Sequence, residues 1–421
     1  MIAPYLRERR RRTTEAWGLT DEVVLVPAGQ PVPVPGRDFP YPFRVHPDHR
    51  WLADQDGPGA VLVYDAAADM WELFAPRPDV DDRIWHAADT EAAGRPLAEL
   101  DDWLAARHDR TVHRIADDSH PGQPLSEAVV ELRLVKDPEE LHRMRRAAAA
   151  TAAGFEVLYR TARPGVTEHE LAADVEAAFL KGGAERTAYD SIVASGPNAA
   201  VLHFHPTGRH LQAGEWLLVD AGAEVEGYAC DVTRTVTVGS EPSPFQRAVW
   251  DIVTDAQRTA VAECRPGEEY RELHIRTAVR MAAGLVEIGL LRGEPAELVA
   301  AGAMALFFPH GVGHLIGLAV HDPGGYAAGR ERSSHPGLRF LRTDRPLREG
   351  MVVTIEPGIY MIEALLTDPE QRARFADDVD WAMVDEHLGA GGVRIEDTVL
   401  VTAEGGDALT EAIPKLAALP G

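Results

Sequence analysis

Apolar and polar positions alternate with different periods along this chain, and the changes of period outline its elements. Residues 1 to about 20 read as a polar helix. The Pro-rich segment from Val26 to Pro35 must then be extended or looped, because proline locks φ and lacks an amide donor. From Ala60 the runs AVLVYD and MWELFAP read as strands, with Ala66 to Asp69 between them as a hairpin turn. A helix around Leu97 to Arg107 and a strand at Thr111 to Ile115 complete a small α/β unit. Its tryptophans Trp51, Trp71 and Trp85 suit a core or an interface.

A second pattern starts near Leu132 to Asp137. Asp137-Pro-Glu-Glu140 supplies an N-cap, a proline at the first helical position and a first-turn acid, so a long Ala-rich helix runs to about Thr161. Thr167-Glu-His-Glu170 is a capping box for the next helix, which ends near Gly182 and Gly183. The apolar run Ser191 to Ala194 predicts a strand. Ser243-Pro-Phe-Gln246 caps another helix, and Glu269 to Leu290 supplies one more. Paired helices alternating with antiparallel strands read as α+β rather than a doubly wound parallel sheet. The expected domains are residues 1–132 and 133–421.

Between these helices, Leu217 to Asp231 reads as two apolar strands joined by a short acidic turn, each carrying one aspartate. A lone buried carboxylate is very costly, so Asp220, at the end of Trp216-Leu-Leu-Val-Asp220, needs a partner. Folding back as a hairpin brings Asp231 beside it, and two carboxylates that close repel unless a cation lies between them.

Composition narrows the classes. A formal charge of −25 over 421 residues argues against binding nucleic acid or an anionic membrane. Cys230 and Cys264 are the two cysteines; they imply no disulfide framework or zinc-thiolate motif and fit a reducing cytoplasm. No apolar run reaches the length of a membrane span, and the basic cluster Arg7 to Arg12 has no apolar h-region behind it, so it reads as a solvated helix face.

Further candidate chemistry lies towards the C-terminus. His310-Gly-Val-Gly-His314 sets two imidazoles around glycines that let the backbone approach a site, and His321 follows. Glu356 in VVTIEPG and Glu396 in GVRIEDTVL each follow an apolar residue in a β-branched run, which explains them poorly as solvent-facing charges. With Asp220, Asp231 and His314 they form a set of four carboxylates and one imidazole that suits two divalent cations.

Asp220 in VDAG, Asp231 in CDVTRT, His314 in HGVGH, Glu356 in TIEPGIY and Glu396 in VRIED resemble, in identity, order and spacing, the five ligands of the pita-bread metallopeptidases. That family includes methionine aminopeptidase, aminopeptidase P and Xaa-Pro dipeptidase (prolidase). The creatinase branch shares the fold but lacks the metals, and five ligand-competent positions set this chain apart from it. The likeness runs over roughly residues 130 to 405. Within the family, FFPHGVGHLIGLAVHDPGGY, HPGLRFLRTDRPL and EPGIYMIEALL are most similar to bacterial prolidase of the organophosphorus acid anhydrolase type. YPFRVHP and DDRIWHA extend the similarity into the N-terminal unit.

The resemblance implies a creatinase-type N-terminal domain, a pita-bread C-terminal domain, a homodimer, and hydrolysis of Xaa-Pro dipeptides by a hydroxide bridging two divalent cations. Manganese is the expected metal, with Co, Fe or Zn as other occupants. Asp231 and Glu396 would bridge the ions, Asp220 would hold one, and His314 with Glu356 the other. Glu356 would also transfer the proton, while His203, His310 and His321 would orient substrate and stabilise the oxyanion, with His205 as the alternative to His203. Arg342 would bind the substrate carboxylate. Arg394 and Tyr189 would line the substrate pocket, and Asp38 would reach the substrate amine from a partner subunit. Two other readings remain open: aminopeptidase P acting on longer peptides, and a non-catalytic binding module on the same fold. Organophosphorus ester hydrolysis is a further activity that the resemblance raises.

Overall fold

The computed structural model describes residues 2–85, 93–116 and 123–419, so His86 and Ala87 of the DDRIWHA stretch lie outside the described residues. The chain divides into two compact units, Met1–Arg133 and Leu134–Gly421.

In the first unit the polar N-terminal segment forms α1 (Pro4–Trp17), closed by Gly18 in the left-handed conformation. The strands are β1 (Val23–Pro27), β2 (Val61–Asp65), β3 (Met70–Ala75), β4 (Arg95–Pro96) and β5 (Val112–Arg114), in the spatial order β4-β3-β2-β1-β5. Helices α2 (Pro47–Ala53), α3 (Val80–Trp85), α4 (Leu100–Ala105) and α5 (Pro124–Arg133) complete the unit. β1 is buried along its whole length, as a central strand must be. The proline-rich segment is extended only through Pro27 and irregular beyond it. Trp51 is fully buried and Trp71 packs on Tyr64 with ring centroids 4.9 Å apart, whereas Trp85 is 75% exposed and belongs to no core.

The second unit opens on α6 (Pro138–Thr161) and α7 (Glu168–Lys181), each started by a complete capping box, at Asp137/Glu140 and Thr167/Glu170. Ser243 and Gln246 cap α8 (Pro244–Glu263) in the same way, and α9 (Tyr270–Glu287) and α10 (Pro295–Ala301) follow. Among the described residues no helix is long and apolar enough to cross a membrane.

Strands β6 (Arg186–Thr187), β7 (Ile192–Ser195), β8 (Trp216–Asp220), β9 (Ala223–Val225), β10 (Tyr228–Ala229) and β11 (Thr233–Thr237) follow; β7 is the strand expected at Ser191 to Ala194, and β8, β9 and β10 stand where a single hairpin was expected between Leu217 and Asp231. β8 pairs antiparallel with β7 on one side and β11 on the other, while β9 and β10 turn aside into a separate sheet with β6. Asp220 therefore faces Thr233 across the ladder, and Asp231 sits in the link between β10 and β11. The two aspartates still approach each other because the chain crosses itself at Gly222. A Cβ there would lie 1.8 Å from the Cys230 carbonyl oxygen, so only glycine permits the crossing.

The strands expected around the two glutamates are each interrupted at the glutamate. β12 (Val352–Ile355) stops before Glu356-Pro357 and β13 (Gly358–Tyr360) resumes after it; β14 (Gly392–Arg394) stops before Ile395-Glu396 and β15 (Asp397–Thr402) resumes. Pairing of Ile355 with Asp397 and of Gly358 with Arg394 sets the two breaks opposite each other. Proline has no amide to donate, so a continuous ladder cannot pass Pro357. A last strand, β16 (Gly405–Ala408), pairs with β15.

Candidate metal centre

Asp220, Asp231, His314, Glu356 and Glu396 all line one cavity of about 760 Å³ in the second unit. Ligand atoms of Asp231, His314 and Glu396 lie within 4.8 Å of one another, and all three residues are buried. His314 Nε2 is 3.5 Å from Asp231 Oδ2 and 3.9 Å from Glu356 Oε1. Its Nδ1 lies 3.0 Å from the Leu315 carbonyl oxygen. A carbonyl only accepts, so Nδ1 carries a proton and Nε2 is the nitrogen that faces the acids: protonated it pairs with Asp231, and with that proton displaced it is free to ligate a metal. The backbone holds that loop closely: Glu356 N–H donates to Val312 O, Thr354 N–H to His314 O, and a Cβ on Gly313 would lie 2.0 Å from Thr354 O.

Burial and mutual repulsion set the electrostatics. Glu356 is pushed up to about 7, chiefly by burial and further by the charges of Asp231 and Asp220. The same two causes raise Glu396 well above the usual carboxylate range and raise Asp220 despite the Arg394 charge. Burial also acts on Asp231, but its hydrogen bond and charge interaction with His314 outweigh burial and lower it. Four acids cannot all ionise in so small a volume without added positive charge, and an oxygen-rich set with one imidazole is the donor chemistry of divalent metals such as Mn, Co, Fe(II) and Zn. The residues present fit such ions.

Hydroxyl groups fix the candidate ligands. Thr233 donates to Glu396 Oε2 at 2.6 Å, and Thr398 donates to Asp231 O at 2.9 Å while accepting from Asp231 N–H at 3.1 Å. Tyr189, expected in the substrate pocket, directs its hydroxyl to Asp220 Oδ1 at 2.6 Å and to Asp231 Oδ1.

Arg394, also expected to bind substrate, is 3% exposed, and each of its nitrogens donates to a protein acceptor. Nη2 reaches Asp220 Oδ2 at 2.7 Å, Nη1 reaches the Tyr360 hydroxyl at 2.8 Å and Nε reaches Thr233 Oγ1 at 3.1 Å. Its geometry supports a role in holding ligands. The Tyr360 hydroxyl in turn lies 2.8 Å from His310 Nε2, and His310 Nδ1 donates to the Gly311 carbonyl, so Nε2 accepts a hydrogen bond from the Tyr360 hydroxyl. Tyr360, Thr233 and Thr398 carry no charge, and only their places in TIEPGIY, CDVTRT and VRIEDT marked them in the sequence.

His203 and His321 also line the cavity. Burial lowers His321 and His310 to about 3, and lowers His203, so all three are neutral imidazoles at pH 7. The His321 ring stands edge-on to His314 with centroids 4.4 Å apart. Arg342 lines the same cavity, is exposed, and makes no ion pair among the described residues. His205 and the half-buried Phe204 belong to the same wall. Asp38 lies in the first unit, exposed on an irregular segment.

Residues 142–403 match the model of metallopeptidase family M24, and residues 6–96 match that of the aminopeptidase P N-terminal domain. A probable Xaa-Pro aminopeptidase of Botryotinia fuckeliana is 32% identical over 93% of this chain and 90% of its own length. A protein of the same description from Paracoccidioides brasiliensis is 33% identical, covering 90% of this chain and 87% of its own. Among solved structures, aminopeptidase PepP of Pseudomonas aeruginosa superposes with a TM-score of 0.81 at 31% identity, over 99% of this chain and 97% of that one. A variant of Escherichia coli aminopeptidase P in complex with substrate gives 0.81 at 27% identity, over 98% and 97%. The fold is thus the two-domain creatinase/aminopeptidase type, as the sequence resemblance implied.

Proposed function

The chain belongs to metallopeptidase family M24, and from that premise we propose that it is a metal-dependent Xaa-Pro aminopeptidase, removing the N-terminal residue from peptides with proline second. One observation carries the hydrolytic chemistry: four carboxylates and an imidazole with its Nε2 facing them converge on a single cavity. Preference for longer peptides rests on the relatives, which are named Xaa-Pro aminopeptidases, and it displaces the dipeptidase favoured by the sequence motifs.

Asp231 and Glu396 would bridge two divalent ions, with Asp220 on one and His314 and Glu356 on the other. Bound there, such ions lower the pKa of water and polarise a carbonyl. Glu356 has the most open side chain of the candidate ligands: 18%, against 12% for Asp220, 6% for Asp231 and 5% for His314, while Glu396 as a whole residue is 1% exposed. It is therefore placed to take the proton of the attacking water and hand it to the leaving imino nitrogen. Neutral His203 and His321 carry ring N–H groups that can donate to the carbonyl oxygen as charge develops on it. His310 lies in the Tyr360–Arg394 chain, which orients its ring at the cavity wall.

A second reading, the dipeptidase, keeps one specific support: Arg342 presents a guanidinium to the cavity with no acid paired to it among the described residues. Assay of manganese-loaded protein on Ala-Pro-Ala and Ala-Pro separates the two. Faster release of alanine from the tripeptide is expected. Preference for the dipeptide would restore the second reading, and inactivity on both with any of the four metals would remove the peptidase altogether.

A further inference from the structure

Glu168 is the first residue of α7, and its side chain is completely buried. A carboxylate near a helix N-terminus gains from the helix dipole, but full burial requires that its lone pairs be filled. Neutral donors fill them. Oε1 accepts from Ser195 N–H at 2.9 Å, Ser195 Oγ at 2.7 Å and Asn198 Nδ2 at 2.9 Å, while Oε2 accepts from Thr207 N–H at 3.2 Å and Thr207 Oγ1 at 2.7 Å. Burial raises its pKa, and these hydrogen bonds more than reverse that and lower it, so the group is a carboxylate at neutral pH.

The partners lie at the two ends of one loop. Ser195 is the last residue of β7, and Thr207 stands where the loop returns to α7, its carbonyl accepting from His169 N–H at 3.0 Å. Between them run Leu202, His203, Phe204 and His205, which line the cavity of the metal centre. Arg209 reinforces the upstream end, donating to Ser195 Oγ at 2.6 Å while paired with Glu215. His203 is exposed on this loop and has no helix or strand of its own to fix it. Closing the loop on one rigid acceptor limits where His203 can stand.

We propose that Glu168 is a positioning residue for the hydrolytic site: its carboxylate pins both ends of the Ser195–Thr207 loop and thereby holds His203 against the substrate position. The assignment rests on the peptidase reading above. Replacement by glutamine places an amide donor against donors at one end of the loop, and replacement by aspartate keeps the charge but shortens the reach.

The test is a cycle of Glu168→Gln with His203→Ala in manganese-loaded protein, read as kcat and KM on Ala-Pro-Ala together with metal content. Glu168→Gln alone should lower kcat about 10- to 100-fold with two metals retained, as loss of a supporting hydrogen-bond partner does elsewhere. In the His203→Ala background it should change kcat less than about twofold, because the group it positions is gone. Glu168→Asp should recover part of the loss. Equal losses in both backgrounds would overturn the proposal, since a purely structural residue acts whether or not His203 is present. If Glu168→Gln does not fold, Thr207→Val, which loosens one end only, is read in the same cycle with the same two outcomes. An inactive wild type counts against the peptidase reading, whereas an active wild type with additive losses counts against Glu168 alone.

Discussion

Arg394 Nη2 lies 2.7 Å from Asp220 Oδ2, joining residues from β14 and β8 that are far apart in the chain. Both are at least mostly buried, with side chains 4% and 12% exposed. The same guanidinium reaches Glu396 through Thr233 and His310 through Tyr360, so one cation orients groups on three sides of the site. A planar fork can do this and a flexible ammonium cannot.

Arg394→Lys keeps the charge and loses the fork. Metal affinity should fall by about 10- to 100-fold, the usual cost of removing an outer-shell partner. Titration against a competing chelator reads it, and unchanged affinity would show that Arg394 does not hold the ligands.

Asp231→Asn tests the bridging assignment. An asparagine offers one neutral oxygen where a bridge needs two charged ones, so neither ion should be retained. Activity should fall by at least ~100-fold, the upper end of what outer-shell changes alone cost. Metal analysis of the purified variant checks it; two bound ions with full activity would make the assignment wrong.

The five proposed ligands were legible because each is a polar residue set in an apolar run, a pattern that burial makes costly unless something binds it. The two α-helical capping boxes before the site were legible for a similar local reason. The ladder breaks at Glu356 and Glu396 were not, because the runs around them carry strong strand propensity on both sides and the interruption depends on pairing across the sheet. Nor does a sequence say which cation meets which acid: Arg394 stands two residues from Glu396, yet its direct partner is Asp220. Glu168 stands in the first turn of α7 beside the capping box, and only the return of Thr207 to α7 distinguishes it.

His274 offers a pH test away from the proposed ligands. It is buried on α9, burial lowers its pKa to about 4, and its Nε2 donates to the Gly337 carbonyl at 2.8 Å. An exposed histidine in the unfolded chain titrates near its ordinary value of about 6.5. Between those values the unfolded state binds the proton and the folded state does not, so stability falls as pH drops from about 6.5 to about 4 and levels off below. The single group accounts for about 3 kcal/mol over that window. Thermal unfolding of metal-free wild type and His274→Gln across this range reads the effect: the variant's curve should be flatter, and parallel curves would refute it.

Arg342 tests whether the proposed peptidase site reads a carboxylate beyond the proline. Its guanidinium is exposed in the cavity wall, so a peptide carboxylate that reaches it gains a charge-assisted pair at small desolvation cost to the arginine. Loss of a hydrogen bond to a charged group is worth ~1.5–3 kcal/mol, which is about 10- to 100-fold in kcat/KM. Arg342→Met should impose that loss on Ala-Pro, whose free carboxylate adjoins the proline, and leave the amide of Ala-Pro nearly unaffected. Running Ala-Pro-Ala and its amide alongside locates the carboxylate. If the loss appears with the tripeptide acid instead, Arg342 serves a longer substrate, in keeping with the aminopeptidase reading. If amidation and Arg342→Met act independently on both peptides, Arg342 does not meet the carboxylate at all.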